Sequence, residues 1–125
     1  MKHITPHTIN FHIHFNHAFI FFLIGHFTGL TYGAGGELWQ FVFTEFIYIN
    51  LGFMIFNLIP IPPLDGSRVL YAIAPDAFRN ILAGMERYGI IIVYLLIFFF
   101  GEIFSSLMIN GMNGIINFFY FIVGQ

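Results

Sequence analysis

The chain has 125 residues, of which 58% are hydrophobic and only 8% are charged, and its mean hydropathy is +0.85. Soluble domains carry roughly 25% charged residues, so this composition excludes an ordinary soluble protein and predicts an integral membrane protein. The net charge of −2 offers no basic surface, so we expect no nucleic-acid partner. The absence of cysteine excludes disulfides and cysteine-based zinc sites.

Residues 1–36 are predicted to form a histidine-rich segment with a short apolar helix. Residues 18–30 are apolar but shorter than the roughly 20 residues of a full membrane span. The glycines of residues 31–36 predict a loop, which could also be the cleavage region of a signal peptide. The histidines are interpreted as a polar tail beside the membrane, with binding of stray metal as the alternative. All six lie in this segment: His3, His7, His12, His14, His17 and His26.

Residues 37–125 are predicted to form a polytopic, all-α membrane domain. Residues 38–59 and 89–109 are the two clearest spans, and with the first apolar segment they suggest about three transmembrane helices. Residues 115–123 are apolar but short, so we expect a half-helix or an interfacial tail there.

Prolines interrupt the chain directly after the first clear span. Pro60, Pro62 and Pro63 each lack a backbone N–H and favour extended geometry in the residue before them. The helix must therefore end near Leu58, and the chain is predicted to run extended to Leu64. Irregular backbone at membrane depth is tolerated only inside protein or against a cavity.

Two short helices are predicted in the connection that follows. Asp65 is placed to cap a helix over residues 66–74, and Asp76 to cap an amphipathic helix that lies on the membrane surface. By the positive-inside rule, the arginines put the connection of residues 60–88 on the cytoplasmic side. All three arginines of the chain lie there: Arg68, Arg79 and Arg87.

Three polar residues near the break are candidates for function. Asn50 and Asn57 are two helical turns apart and share a face, where interhelical hydrogen bonding is the structural interpretation. The Asn57 amide is also the kind of donor that stabilises a developing oxyanion. Asp65 suits a turn or a cap, but a carboxylate can equally bind Zn²⁺ or handle a proton.

The segment FNLIPIPPLDGSRVLYAIAP, residues 56–75, resembles the second signature of the site-2 protease family of intramembrane zinc metalloproteases. The family's Asn-x-x-Pro-x-Pro-x-x-Asp-Gly pattern is matched at Asn57, Pro60, Pro62, Asp65 and Gly66. The resemblance implies that Asp65 is a zinc ligand and that Asn57 assists substrate or oxyanion binding. It also implies zinc as cofactor, a transmembrane peptide as substrate and, from the flanking sequence, a bacterial-type cytoplasmic membrane.

The other signature of that family, His-Glu-x-x-His, does not occur in this sequence. In one alignment residues 14–25 are an altered relative of that motif, and in another Asn16 begins a later helix of the family. We favour the second alignment. It predicts the C-terminal portion of a site-2 protease domain, inactive alone and dependent on a His-Glu-x-x-His-bearing half.

Two further functions are compatible with the sequence. The chain could be a non-catalytic membrane module that binds transmembrane peptides in the groove beside the broken helix. A small ion or proton carrier using Glu45, Asp65 and Glu102 is a third hypothesis. Because Glu45 and Glu102 have no partner at ligand spacing, we interpret both as packing or cavity residues.

Overall fold

A computed structural model describes residues 8–62 and 64–124, with side chains from His12 onward. His3, His7 and Pro63 lie outside the described residues. No strand occurs in the described part of the chain, which confirms the all-α prediction there. The helices are α1 (Thr8–Thr28), a 3₁₀ helix (Leu30–Tyr32), α2 (Glu37–Leu58), α3 (Ser67–Ile73), α4 (Asp76–Arg87) and α5 (Gly89–Ile122).

Helix α1 begins ten residues before the apolar helix that the sequence predicts, at residue 8 instead of residue 18. The histidines of residues 8–17 are therefore part of a helix, and the place of this segment beside the membrane stays a prediction. Neither glycine nor proline occurs between residues 8 and 24, so no backbone breaker stops the helix from extending through the histidines. The chain turns after α1 at Gly29 and Gly33, which have φ of 73° and 90°, in agreement with the predicted loop.

The chain divides into two compact units, and the first comprises Met1–Met54 and Asn110–Gln125. Its core is aromatic: the ring centroids of Phe19 and Phe22 lie 5.0 and 5.3 Å from that of Phe119. This contact joins α1 to the end of α5 and explains part of the phenylalanine content. The buried cluster consists of Ala18, Phe22, Ile47, Leu51 and Phe119. The predicted domain boundary after residue 36 stays a prediction.

Close packing of α1 in this unit depends on Gly25. A Cβ at that position would overlap the side chain of Thr31 and crowd that of Phe43. Small residues let helices approach closely in membrane proteins, so Gly25 permits α1 to pack against α2.

The second unit, Ile55–Ile109, contains the end of α2, the proline segment, α3, α4 and the first part of α5. Helix α2 agrees with the first predicted span. The predicted break between residues 109 and 115 is wrong, because α5 continues through it as a 34-residue helix. The two glycines of that interval, Gly111 and Gly114, each cost only about 1 kcal/mol relative to alanine, whereas ending a helix in lipid exposes several backbone groups.

Helix α5 bends at Phe100, whose φ of −122° and ψ of 25° are not helical. At 1.5 Å per residue the helix is about 51 Å long, well over the ~30 Å hydrocarbon core of a bilayer. No proline explains the bend, and the sequence indicates it only through the neighbouring Gly101.

Both short helices begin one residue away from the predicted caps. Gly66, not Asp65, occupies the N-cap position of α3, and Pro75, not Asp76, that of α4. Asp76 is instead the first helical residue and pairs with Arg79 at 3.4 Å. An acid in the first turn still complements the helix dipole. Helix α4 is amphipathic in sequence, as predicted, and its place on a membrane surface stays a prediction.

Candidate active-site segment

Asn57 lies in the last turn of α2 and is half-buried. The helix ends one residue later because Pro60 and Pro62 cannot donate to the carbonyls of the preceding turn. The Asn57 carbonyl, which the helix leaves without a helical partner, accepts a hydrogen bond from the Gly66 N–H at 2.6 Å. The chain therefore folds back onto the end of α2.

The proline segment is a series of tight turns, so the extended conformation predicted for it is wrong. The Ile61 N–H donates to the Ile59 carbonyl at 2.8 Å, and the Leu64 N–H donates to the Ile61 carbonyl at 2.7 Å. Pro62 follows Ile61 directly, at the turn position where the fixed φ of proline is favourable. Fixed φ ends the helix, but it is as compatible with turns as with an extended chain.

Gly66 is the point at which the returning chain contacts α2. A Cβ built on Gly66 would overlap the carbonyl oxygen of Leu58, and that of Ile59 as well. Its φ of −60° is ordinary, so the requirement for glycine is one of space and not of backbone conformation. Close contact with α2 is thus a structural reason for the glycine of the Asp-Gly pair in the motif.

Two hydrogen bonds close the turn that contains Asp65, one from a side chain and one from the backbone. On one side, the buried Ser67 hydroxyl donates to the Leu64 carbonyl at 2.8 Å. On the other, the Asp65 carbonyl accepts from the Arg68 N–H at 3.1 Å as α3 begins. The contact between Asn57 and Gly66 brings Asp65 to the same end of α2 as Asn57. The sequence also predicts that the Asn57 and Asp65 side chains face one cavity, and this stays a prediction.

An apolar cavity of about 330 Å³ borders the motif within the second unit. One wall includes Phe56, Ile59 and Leu64, which are neighbours of Asn57 or members of the turn segment, and the opposite wall comes from α5. Every lining side chain is apolar. The α5 wall includes Leu96, Phe100 and Phe104 and contains the bend. The cavity borders Leu64, the residue before Asp65, and is large enough to hold a bulky apolar side chain.

Asn50 makes the interhelical hydrogen bond that the structural interpretation expects. Its Nδ2 donates to the Phe46 carbonyl at 2.8 Å, so its Oδ1 faces His14 Nδ1 at 3.2 Å. His14 Nδ1 must then carry the proton, because Oδ1 can only accept. His14, a candidate tail residue by sequence, thus joins α1 to α2.

The described residues do not form a zinc site by themselves. Among residues 8–62 and 64–124, no three histidines or carboxylates come together in a group that could hold a metal. His26 donates from Nδ1 to the Tyr32 hydroxyl or accepts from it at 2.9 Å, within the first unit. Asp65 alone does not fit a catalytic zinc, which needs about three protein ligands.

The same observation bears on the ion-carrier hypothesis. Within the described residues Glu45, Asp65 and Glu102 do not join in an acidic group, and both glutamates are exposed. Glu102 lines a pocket on α5, so the interpretation of Glu45 and Glu102 as packing or cavity residues stays a prediction. Their long side chains stand on the outer surface of α2 and α5.

These features together define a helical membrane protein with a proline-broken turn. Two helices, Glu37–Leu58 and Gly89–Ile122, are long and apolar enough to cross a membrane among the described residues. The first apolar segment, residues 18–30, was the third predicted span, and that prediction is not confirmed. The sequence profile of Peptidase family M50 matches residues 12–101, more than half of the chain. The chain therefore belongs to Peptidase family M50, the membrane-embedded site-2 protease family.

A curated relative agrees with this membership. The chain is 41% identical over 56 residues to the "Putative zinc metalloprotease YwhC" of Bacillus subtilis (strain 168). The match covers 45% of this chain and 25% of the relative, so the chain spans only a part of that protein's length. No solved structure matches the chain.

Sequence reasoning missed the residues that line the cavity and the role of Gly66. Nothing in the sequence distinguishes the cavity-lining residues of α5 from their neighbours, because the helix is apolar along most of its length. Gly66 could have been found, since it follows Asp65 in the motif, but its contact with Leu58 requires the fold-back of the chain.

Proposed function

We propose that this chain supplies the Asn57- and Asp65-bearing part of a site-2-type intramembrane zinc metallopeptidase. The observation that carries the proposal is the fold-back of Gly66 onto the end of α2, which holds the Asp-Gly pair beside Asn57 in a family M50 chain. Asp65 would be one zinc ligand, and the Asn57 amide would assist the substrate or the oxyanion. The remaining ligands would come from a His-Glu-x-x-His-bearing segment.

The substrate in this proposal is a transmembrane peptide. The apolar cavity bordering Leu64 suits an apolar side chain of such a peptide, because binding sites bury most of a ligand against apolar walls. The alternative is a module that binds transmembrane peptides without cutting them. The lack of a three-ligand group among the described residues favours that alternative for the chain alone.

A reconstitution experiment tests the peptidase proposal. We expect the purified chain in lipid to bind clearly less than one equivalent of zinc and to leave a transmembrane peptide intact. Adding a His-Glu-x-x-His-bearing segment from a family M50 member is expected to restore both zinc binding and cleavage. Stoichiometric zinc and cleavage by the chain alone would contradict the dependence on that segment. Peptide binding without cleavage in both samples would favour the non-catalytic module.

The proposed orientation puts residues 60–88 at the cytoplasmic face of a bacterial-type cytoplasmic membrane. The chain has no cysteine, so each introduced cysteine is a unique label. We expect Asp76→Cys, whose native side chain is 98% exposed, to react with an impermeant reagent in inside-out vesicles only. Ala34→Cys, in the loop at the other end of α2, is the matched control and should react from the opposite side. A reversed pattern would contradict the orientation.

A further inference from the structure

Three asparagines form a stripe along the last part of α5, within the first compact unit. Asn110, Asn113 and Asn117 are three and four residues apart, which puts them on one face of the helix. All three residues are exposed. The buried Phe119 lies on the opposite face, because it is two residues, or about 200°, beyond Asn117. The stripe therefore points away from the core of its unit.

The stripe lies at the depth of the middle of α2. Phe119 shares a buried cluster with Ile47 and Leu51, which are near the middle of that 22-residue helix. At 1.5 Å per residue α2 is about 33 Å long, close to the ~30 Å hydrocarbon core of a bilayer. Asn117 is about half a turn from Phe119, and Asn113 is less than two turns from it. In a bilayer that α2 crosses, both amides are therefore at a depth without water.

The amides of Asn113 and Asn117 need hydrogen-bond partners at that depth. Within the part of the chain that the structure describes, neither side chain makes a hydrogen bond. Asn50 shows the satisfied case, since its amide bonds a carbonyl of its own helix and the His14 ring of α1. Asparagines of membrane helices hydrogen-bond across to other helices. The stripe therefore indicates a partner helix that the described residues do not supply.

Two neighbouring residues shape this face for close contact with another helix. Gly114 lies one turn from Asn110 and one turn from Asn117. A Cβ at Gly114 would have no neighbour within 4 Å, so the packing of the chain itself does not require a glycine there. Small residues let membrane helices approach closely. Phe121, one turn beyond Asn117 and 77% exposed, adds apolar area to the same face. We call these five residues the asparagine face.

The asparagine face is complementary to itself. An amide side chain is both donor and acceptor, so two asparagines that meet can satisfy each other. Copies of a membrane protein insert in one orientation, so two α5 helices about a two-fold axis are parallel and each asparagine faces its own counterpart. A spacing of three then four residues is that of the seam between two parallel helices, where paired asparagines specify the register. A helix of different sequence would need a matching stripe of amides.

We propose that the asparagine face binds the same face of a second copy of this chain, in a parallel two-fold dimer. Asn113 and Asn117 each form an amide pair with their counterpart, and Gly114 lets the two helices approach. The dimer does not depend on the proposed peptidase activity, because its face lies outside the Asn57–Asp65 segment and association is measured by itself.

Association of the full chain in lipid vesicles tests the dimer. Two populations with different fluorophores at the amino terminus report it by energy transfer as the protein is diluted in lipid. We expect a monomer–dimer equilibrium that the double variant Asn113→Leu/Asn117→Leu weakens by roughly 10- to 100-fold, through loss of the interhelical hydrogen bonds. Asn16→Leu removes an exposed asparagine of α1 and should change nothing. A monomeric native chain, or equal losses in the two variants, would overturn the proposal.

Gly114→Ile is a second variant of the same face. The monomer has space for the side chain, so circular dichroism should show unchanged helix content and thermal unfolding. The bulky side chain separates the two helices, so the dimer should weaken by about 10-fold or more. Unchanged association in this variant would show that the helices do not meet at Gly114 and would contradict the interface.

Cysteine cross-linking locates the interface, since the chain has no cysteine of its own. Asn117→Cys should form a disulfide with its counterpart under oxidation, because a two-fold axis brings equivalent residues of the seam within disulfide reach. Asn16→Cys is the matched control and should stay unlinked. Equal cross-linking at both positions would indicate random collision and overturn the interface. Loss of the Asn117→Cys cross-link on adding a His-Glu-x-x-His-bearing segment would assign the face to that segment instead.

Discussion

Asp65→Ala is expected to abolish cleavage by the complemented protein and to weaken its zinc binding by more than about 100-fold. Mutating a residue that hydrogen-bonds to a metal ligand typically lowers metal affinity by 10–100-fold. Removing a ligand itself should therefore lower the zinc affinity by more. The measurement is bound zinc and turnover of a transmembrane peptide, with the His-Glu-x-x-His-bearing segment present. The Asp65 backbone bonds survive the substitution, and unfolding in detergent micelles, followed by circular dichroism, separates an effect on the metal from one on folding.

Two other variants separate metal binding from substrate activation. Asn57→Ala should retain zinc and lower kcat by about 10²–10³, the usual cost of removing one oxyanion donor. Asp76→Ala removes an exposed acid from the same connection and should leave zinc and kcat unchanged. If Asp65→Ala keeps stoichiometric zinc, or if Asn57→Ala loses it, the assigned roles are wrong.

Gly66→Ala is expected to destabilise the protein by about 3 kcal/mol, at the upper end of the 1–3 kcal/mol typical of overpacking. The added methyl group meets the backbone carbonyl of Leu58, which has no alternative rotamer through which to move away. The fold-back that holds Asp65 beside the end of α2 should open, and cleavage by the complemented protein should fall with it. Unfolding in mixed detergent micelles, followed by circular dichroism, measures the loss.

Gly84→Ala provides a matched control in the middle of α4. A Cβ there has no neighbour within 4 Å, so the same change should be neutral or stabilise the helix by about 0.5–1 kcal/mol. Similar stability of the Gly66→Ala and Gly84→Ala proteins would show that the contact with Leu58 does not constrain the motif.

The sequence indicates Asn57 and Asp65 through their match to the family motif, and the roles assigned to them stay predictions. The cavity beside them was not predictable, because it requires the bend at Phe100 to face the turn segment. The hydrogen bond between His14 and Asn50 was also hidden, since it joins residues 36 positions apart.

The sequence by itself determined the membrane class, the course of α2 and the end of that helix, because hydropathy and proline act over a few neighbouring residues. It did not determine the start of α1 or the continuation of α5 past residue 109. Those limits depend on packing such as that of Phe119 against α1. Only the tertiary structure decided that the chain returns to α2 through tight turns instead of through an extended segment. The fixed φ of proline permits both courses, and the bond from Gly66 to the Asn57 carbonyl selects one.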